Sequence, residues 1–507
     1  MKHVFTSLTA IFATVGYLGA AGVANAVPAS APKPNILLII ADDLGYGDVQ
    51  CLNPERGKIP TPDLDRLAAQ GMTFTDAHSG SSVCTPTRYG LLTGRYAWRT
   101  RLQAGVLDGG NDEPLIAADR LTVAGFLRQH GYYTACIGKW HLGFQSNAKP
   151  DPSGSKGGFG SRGLPQGARI LDGPLTRGFD YFWGCSNART MSSVIENDQV
   201  VEMLPTVEML PRLIDRVVDQ IGARAADAKS GRPFFLYVPL TSPHTPIVPA
   251  PAWQGKSPLG PYGDFVMQTD AGVGRILAAL DEHGLADETL VIFTSDNGCS
   301  PQAGTAKLEA DGHFASASYR GYKSDIWEGG HRVPFFVRWP GRVQPGAHCD
   351  RLVCLTDLLA TCAEILNLPL PATAGEDSVS FLPALIGGAD VPPRQAVVHH
   401  SIQGRFSLRE GPWKLNFCAG SGGWGAPSDA AAASQGLPTW QLYNLATDPA
   451  ETVNLHDAKS EEIIRLSAIL AQTIAQGRST PGPPCPNDVP VRSPFQPSGK
   501  TRKSPAQ

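Results

Sequence analysis

Charged, amide and imidazole side chains stand at or just after the ends of four apolar segments in this sequence of 507 residues. They are Asp42 and Asp43, Lys139 and His141, His244, and Asp296 and Asn297. Any one of these residues alone would be interpreted as a turn or capping residue. Their recurrence at four comparable positions indicates instead that they converge on one site.

The chemistry that these residues could support is a cation-assisted reaction on an anion. Three carboxylates and an amide are hard oxygen ligands, which suit Ca²⁺ or Mg²⁺ rather than zinc, because zinc takes more histidine or cysteine. Lysines and histidines beside such a cation favour an anionic substrate, and phosphate and sulfate esters are the obvious candidates.

The segments that must position these residues are short and continuously apolar, as in strands buried on both faces. We predict such strands over 35–41, 133–137, 234–240 and 289–294. Helices are predicted over 62–70, about 122–130 and 265–282, the first with Thr61 as N-cap and Gly71 as its stop. Strands that alternate with helices predict an α/β fold with a mostly parallel sheet, which binds ligands at the carboxyl ends of its strands.

The composition excludes several classes of protein. The 43 basic and 46 acidic residues give a net charge of −3, which argues against nucleic-acid binding. A hydrophobic content of 42% excludes a mostly disordered chain, and the length predicts two or three domains. Ten cysteines without regular spacing allow one or two disulfides of unassigned pairing.

The amino terminus predicts export. Lys2 and His3 precede an apolar stretch over 11–23, and Ala24-Asn25-Ala26 fits a small-x-small cleavage pattern, so 1–26 is interpreted as a signal peptide. An uncleaved membrane anchor is the alternative, disfavoured because the stretch is short and interrupted by glycine. The sequence holds no N-x-Ser/Thr acceptor, which favours a bacterial periplasmic or extracellular protein without an integral membrane segment after processing.

The most specific local pattern lies at residues 84–95, CTPTRYGLLTGR. It resembles the signature of the formylglycine-dependent, arylsulfatase-like sulfatases of the alkaline phosphatase superfamily, C-x-P-x-R followed by L-x-T-G-R. Further segments similar to motifs of this family are DDLGYGD at 42–48, TPDLD at 61–65, GKWHLG at 138–143, GFD at 178–180, SPH at 242–244, SDNG at 295–298, and parts of 320–334 and 442–451. The resemblance extends over about 34–455, given the usual error in boundaries.

The resemblance implies a metal site and a modified nucleophile. Asp42, Asp43, Asp296 and Asn297 would bind one divalent cation, with calcium favoured and magnesium open. Cys84 would be oxidised during export to 3-oxoalanine (formylglycine) by a formylglycine-generating maturation enzyme, and would complete the ligand shell of the cation.

The resemblance also implies roles for the cationic residues. Arg88 would hold the hydrate of the aldehyde, and Lys139 and Lys323 would neutralise sulfate oxygens. His244 would act as general acid toward the leaving group, and His141 would accept a proton in the later step.

The activity implied is hydrolysis of a sulfate monoester, of a sulfated sugar or an aryl sulfate, to an alcohol and inorganic sulfate. One hydroxyl of an aldehyde hydrate attacks sulfur, and the other later loses its proton and forms the carbonyl, which expels sulfate. Serine has a single hydroxyl and cannot expel sulfate in this way. Hydrolysis of phosphate or phosphonate esters is the nearest alternative. A non-enzymatic protein that binds metal or glycan is a second alternative, which the intact set of cationic residues disfavours.

For other polar residues near the motifs, the sequence gives weaker support for a role in the site. His313 and His331 are interpreted as surface or packing residues, and His399 and His400 as structural residues on a strand. Asn187, Arg189 and Glu196 are candidate substrate contacts, although polar loop residues are more often only solvated.

The predicted organisation is a catalytic domain over 34–393 and a smaller carboxyl-terminal domain over 394–478. The first has a large mixed, mostly parallel sheet flanked by helices, and the second contains an antiparallel sheet. Loops over 146–169 and 419–438 could shape the substrate entrance. The Pro- and Ser-rich segment over 479–507 is predicted to be a disordered tail.

Overall fold

The computed structural model describes residue 1 and residues 33–109, 112–149, 163–388 and 394–495. The predicted signal peptide, most of the loop over 146–169, and residues 496–507 of the predicted tail lie outside the described residues.

The strands follow the predicted apolar segments and add shorter ones. They are β1 Asn35–Asp42, β2 Met72–Phe74, β3 Ala77–His78, β4 Tyr133–Lys139, β5 Gln145–Ser146, β6 Ile170–Asp172, β7 Tyr181–Cys185, β8 Ser193–Glu196, β9 Gln199–Met203, β10 Phe234–Pro243, β11 Thr289–Ser295, β12 Phe335–Arg338, β13 Ala347–Cys349, β14 Val353–Cys354, β15 Val397–His400, β16 Phe406–Glu410, β17 Trp413–Asn416 and β18 Gln441–Asn444.

The three predicted helices are present among the helices of the structure. These are α1 Pro62–Gln70, α2 Cys84–Thr93, α3 Val123–Gln129, α4 Met209–Lys229, α5 Pro261–Glu282, α6 Thr305–Ala310, α7 Glu328–His331, α8 Leu358–Ile365, α9 Leu382–Leu385, α10 Asp429–Ser434 and α11 Ser460–Gln476. Within the described part of the chain, none of them combines the length and apolar character needed to cross a membrane.

A ten-stranded mixed sheet forms the centre of the protein, in the order β13-β2-β12-β11-β1-β10-β4-β7-β8-β9. The five strands from β11 to β7 run parallel, and β1 lies between β11 and β10. Alternate side chains of β1 point to opposite faces, so Leu38 and Ile40 join one apolar core and Leu37 and Ile39 join the other. Burial on both faces explains why β1 is continuously apolar in the sequence.

A second sheet is formed by β15, β16, β17 and β18, which are antiparallel. Leu466 and Leu470 of α11 pack in one apolar cluster with Leu408 and Leu415 of this sheet. The same cluster includes Trp98 of the segment after α2, so it also joins the two sheets. The predicted α/β fold class, with a large mixed sheet and a separate antiparallel sheet, is confirmed, and the boundary at residue 394 stays a prediction.

The segment over 479–495 corrects the prediction of disorder for this part of the tail. It forms neither helix nor strand, but Asp488 makes an ion pair with the buried Arg95 at 2.9 Å. The backbone N–H of Asp488 donates to the carbonyl of Arg99, and that of Arg492 donates to the Gln103 side chain. Proline disfavours regular structure in this segment without preventing such polar contacts.

The cysteines also depart from the sequence-based expectation. All ten lie in described residues and all are free thiols in the structure, so the one or two disulfides allowed by the count are not formed. Most are buried in apolar surroundings; Cys362, for example, packs among the apolar side chains of α8 and its neighbours. These thiols act as small hydrophobic residues.

A buried ionic cluster joins the large sheet domain to the antiparallel sheet. Its members are Asp76, His78, Glu328, His331, Arg332, His399, Arg409, Lys414 and Glu451. Lys414 Nζ lies 3.0 Å from carboxylate oxygens of both Glu328 and Glu451. Three carboxylates therefore face three permanent cations, and the histidines need not carry charge.

Candidate active site

The four motif-bearing strands deliver their residues to one edge of the sheet. The strands β11, β1, β10 and β4 are neighbours in that order and run parallel, so their carboxyl ends lie together. Asp42 pairs with Pro243 in the register of β1 and β10, and Ala41 pairs with Ser295 in that of β1 and β11. Residues far apart in sequence therefore meet as the strand-end pattern predicts.

Three buried cations face three buried carboxylates at this edge. Lys139 Nζ donates to the two oxygens of Asp42 at 2.9 and 2.7 Å, and Lys323 Nζ donates to Asp43 at 2.7 Å. Arg88 donates to one oxygen of Asp296 through two nitrogens, at 3.1 and 2.7 Å. The site is thus balanced in charge before any ligand enters.

Asn297 adds an amide to the carboxylates. Its Nδ2 donates to Asp43 Oδ1 at 2.8 Å, and the backbone N–H of Asp43 donates to Asp296 Oδ1 at 3.2 Å. The Asn297 Oδ1 atom is buried and has no hydrogen-bond partner among the described residues. A buried acceptor without a partner is costly, so this oxygen is suited to a ligand.

These residues fit a divalent cation. Asp42, Asp43, Asp296 and the orphaned Asn297 oxygen offer hard ligands, and the oxygens of Asp42 and Asp43 also lie close to a nitrogen of His244. This donor set has the chemistry of a calcium or magnesium site, whereas zinc would be expected to take more nitrogen or sulfur.

Burial and charge push the pKa values of the two central carboxyls in opposite directions. Burial would raise the pKa of Asp42, but the positive charges of Lys139 and its neighbours hold this pKa well below its usual value. Burial and the adjacent Asp42 carboxylate raise the pKa of Asp296 well above its usual value, and Arg88 only partly offsets this. Of these two carboxyls, Asp296 is therefore the one that a further cation would help to keep ionised.

Cys84 is the first residue of α2 and is buried, with only 3% of its surface exposed. No side chain caps this helix start, so its first backbone N–H groups stay available to an anion near Cys84. Arg88 follows one turn later on the same face of the helix, which is why it can reach Asp296. Its other terminal nitrogen donates to the Lys139 carbonyl at 3.0 Å.

The surroundings of both predicted histidines lower their pKa values and so favour the neutral imidazole. His141 has a positive φ of 55° and its Nε2 contacts the Leu107 carbonyl at 2.8 Å, while its buried Nδ1 has no partner among the described residues. Burial and the Lys139 charge lower the pKa of His141 well below its usual value. Burial also lowers the pKa of His244 to about 4, although Asp43 lies 3.5 Å from its Nε2 and opposes this shift.

A cavity of about 150 Å³ opens onto these groups. Its lining residues are Val83, Cys84, Val106, Leu107, Lys139, His141, Asn187, Ala188, Arg189, His244, Gln302, Lys323, Ile402 and Trp424. Of the candidate substrate contacts, Asn187 and Arg189 line the cavity. Glu196 does not line it; it accepts a hydrogen bond from the Tyr181 hydroxyl at 2.7 Å.

Sequence reasoning singled out seven of the fourteen lining residues and missed the other seven, which are Val83, Val106, Leu107, Ala188, Gln302, Ile402 and Trp424. Ile402 follows the β15 strand and Trp424 lies in the loop over 419–438, so the antiparallel sheet domain supplies one wall of the cavity. The glycine-rich composition of that loop indicated an entrance loop, but no local pattern singled out Trp424.

The remaining histidines lie outside the cavity. His313 is buried and contacts Asp48 Oδ1 at 2.8 Å, and His400 is buried in β15. His78, His331 and His399 lie close enough to be considered as metal ligands. However, the rings of His331 and His399 are stacked with centroids 3.8 Å apart at 12°, so their lone pairs lie in separate, nearly parallel planes and do not converge on one ion. His331 and His399 thus pack against each other in the interior, in keeping with their interpretation from the sequence, whereas His78 was not singled out there.

Comparisons with known proteins agree with the geometry. The family model described as Sulfatase matches residues 34–368. An N-acetylgalactosamine-6-O-sulfatase of Bacteroides thetaiotaomicron is 34% identical, with 86% of this chain and 92% of that protein covered. Human arylsulfatase A is 36% identical, with 86% and 85% covered. A solved structure described under glycosaminoglycan metabolism by Bacteroides thetaiotaomicron superimposes with a TM-score of 0.76 at 30% identity, covering 87% of this chain and 99% of that one.

Proposed function

The chain belongs to the sulfatase family and is a sulfuric ester hydrolase, and from this premise we propose that it is an exported enzyme whose nucleophile is formylglycine made from Cys84. The observation that carries the proposal is the position of Cys84. It lies at an uncapped helix start, lines the cavity, and shares that cavity with two lysines and two histidines. The Lys2–Ala26 pattern supports export.

The acidic edge of the sheet is proposed to hold one divalent cation, with calcium favoured and magnesium the alternative. Asp42, Asp43, Asp296 and Asn297 would hold it together with the modified Cys84. When bound, the cation supplies electrostatic stabilisation of the charge that develops on the sulfate oxygens and the nucleophile.

The lysines are proposed to bind the sulfate group. In the structure they pair with Asp42 and Asp43, so a cation on these carboxylates would leave the charges of Lys139 and Lys323 available to an anion. Two buried cations held in fixed positions stabilise a sulfate ester more strongly than mobile solvent dipoles do. Arg88, held by Asp296 and the Lys139 carbonyl, would keep the residue at position 84 in place.

The two histidines are proposed to transfer protons in two different steps, His244 when the leaving group departs and His141 when sulfate is expelled. His244 would protonate the leaving-group oxygen, a role that requires it to gain a proton when the anionic substrate binds near its ring. His141 would accept a proton in the later step, and its partnerless Nδ1 atom supports this because it carries a free lone pair when Nε2–H donates to Leu107.

Sulfated sugars are the proposed substrate class. The N-acetylgalactosamine-6-O-sulfatase covers 86% of the chain at 34% identity, so an N-acetylhexosamine 6-O-sulfate is the first substrate to test. Aryl sulfates are the second, because arylsulfatase A is similar over a comparable length. Matched phosphate esters test the alternative of a phosphohydrolase.

The decisive experiment combines peptide mass and turnover. Protein purified from a host that makes formylglycine is digested with trypsin, and the mass of the peptide Leu67–Arg88 is measured. We expect an aldehyde in place of the thiol, together with release of inorganic sulfate from the hexosamine sulfate. Cys84→Ala should lose turnover and keep its melting temperature, whereas Cys51→Ala, which changes an exposed thiol, should retain both. An unmodified Cys84 in active protein would overturn the proposal.

A further inference from the structure

Trp424 stands apart from the other eight tryptophans of the chain. It is 50% exposed, whereas the others are buried or partly buried. It also lines the active-site cavity, together with Cys84 and Lys323. A half-exposed indole that also lines this cavity offers an amphipathic surface that a ligand in the cavity can cover.

The backbone around Trp424 is fixed relative to the lysine that is proposed to bind sulfate. The Trp424 N–H donates to the Ser324 hydroxyl at 2.9 Å, and the Gly425 N–H donates to Asp325 Oδ1 at 2.8 Å. Ser324 and Asp325 directly follow Lys323 in the chain. The backbone that carries the indole is therefore tied to the sulfate end of the cavity by two hydrogen bonds.

The two glycines that flank Trp424 allow this close approach. A Cβ atom on Gly423 would lie 2.3 Å from the Ser324 carbonyl oxygen, and one on Gly425 would lie 2.5 Å from Asp325 Oδ2. Both distances are too short for any side chain, so the loop can reach Ser324 and Asp325 only with glycine at these positions. The sequence Gly-Trp-Gly thus presents one large side chain from a tightly held backbone.

The rest of the cavity mouth offers both apolar and polar contacts. Val106 and Ile402 supply apolar surface, and Asn187, Arg189 and Gln302 supply polar groups. A pyranose ring has a C–H face that is apolar and an edge of hydroxyls that needs hydrogen-bonding partners. This amphipathic shape matches a mouth with one indole face and several polar side chains.

We propose that Trp424 is a specificity-determining residue, whose indole packs against the C–H face of the pyranose ring that carries the sulfate. The proposal rests on the function proposed above and names the part of the sugar that the site recognises. Packing removes apolar surface from water and places C–H groups against the negative face of the indole. Lys323 then holds the sulfate while Trp424 sets the orientation of the ring.

The test uses matured enzyme with Trp424→Ala, Trp424→Phe and, as a matched control, Leu437→Ala. Leu437 follows α10 in the same segment over 419–438 and is 44% exposed, but it does not line the cavity. On the hexosamine 6-O-sulfate, kcat/KM should fall by about ten- to a hundredfold in Trp424→Ala, recover in part in Trp424→Phe, and stay unchanged in Leu437→Ala.

Inhibition separates recognition of the sugar from recognition of sulfate. The desulfated hexosamine should inhibit Trp424→Ala more weakly than wild type by a similar factor, whereas inorganic sulfate should inhibit both equally. A Trp424→Ala enzyme with wild-type kcat/KM and wild-type inhibition by the desulfated sugar would overturn the proposal, as would a loss confined to inorganic sulfate. If wild type hydrolyses no sulfate ester, the proposed function fails, and calorimetric binding of the desulfated sugar still tests Trp424.

Discussion

Lys414 occupies the centre of the buried cluster that joins the two sheets, and its replacement by methionine is the sharpest test of how they are held together. Its side chain is fully buried and its Nζ lies 3.0 Å from oxygens of Glu328 and Glu451. It also lies 3.0 Å from His331 Nε2. Methionine keeps most of the apolar volume and removes the charge, so two carboxylates would face each other without a cation between them.

The expected cost follows from the burial of these groups. Removing one partner of a buried ion pair costs about 3–5 kcal/mol, because the remaining charge stays in a poorly solvated place. Lys414 offsets two carboxylates, so we expect the upper part of this range. For a domain of this size, such a loss corresponds to a fall in Tm of about 5 °C.

The pH dependence provides an internal check. Burial raises the pKa of Glu451 and Lys414 opposes this shift, so without Lys414 the carboxyl should take up a proton more readily. The destabilisation caused by Lys414→Met should therefore shrink as the pH falls. At neutral pH, adding Glu451→Gln to Lys414→Met should recover part of the lost stability, because it removes one uncompensated charge.

The assay is guanidinium unfolding followed by tryptophan fluorescence. The signal sums nine tryptophans, and these include Trp327, whose Nε1 donates to Gln441 of the antiparallel sheet at 2.9 Å. Lys307→Met, which removes an exposed lysine, is the control. The reasoning is refuted if the free energy of unfolding of Lys414→Met lies within about 1 kcal/mol of the wild-type value. It is also refuted if the double variant is no more stable than Lys414→Met alone.

Three further predictions concern the acid limb of stability, the cation and the sulfate site. Burial lowers the pKa of His400 to about 4. The free energy of unfolding should therefore decrease by on the order of 3 kcal/mol as the pH falls from about 6.5 toward 4. In His400→Leu, the free energy of unfolding should depend less on pH over this range. In calorimetry, a chelator should lower Tm. Calcium at about a hundred times its Kd should restore about 3 kcal/mol of unfolding free energy to the wild type and none to Asp296→Ala. A wild type whose Tm does not respond to the chelator would contradict the proposed cation site. Lys323→Met should lower kcat/KM on a sulfate ester by about a hundredfold or more, whereas the exposed Lys307→Met should leave it unchanged; equal rates in both would remove Lys323 from the sulfate site.

The sequence by itself was sufficient for the fold class and for the set of strand-end residues, for a physical reason. A strand buried on both faces is continuously apolar, so 35–41 and 289–294 were recognisable without any knowledge of their neighbours. Parallel strands then bring their carboxyl ends to one edge whatever loops connect them. Asp42 and Asp296 were therefore expected at the same edge of the sheet, and the observed pairing of β1 with β11 makes them neighbours there.

The tertiary structure alone decided which residues surround that edge. Trp424 is placed by hydrogen bonds to Ser324 and Asp325, a hundred residues earlier in the chain, and no periodicity of the sequence encodes such a contact. The path of 479–495 likewise depends on the ion pair between Asp488 and Arg95. This pair can be recognised only when both segments are in place. Local patterns report burial and period, whereas pairing between loops depends on side-chain complementarity across the assembled fold.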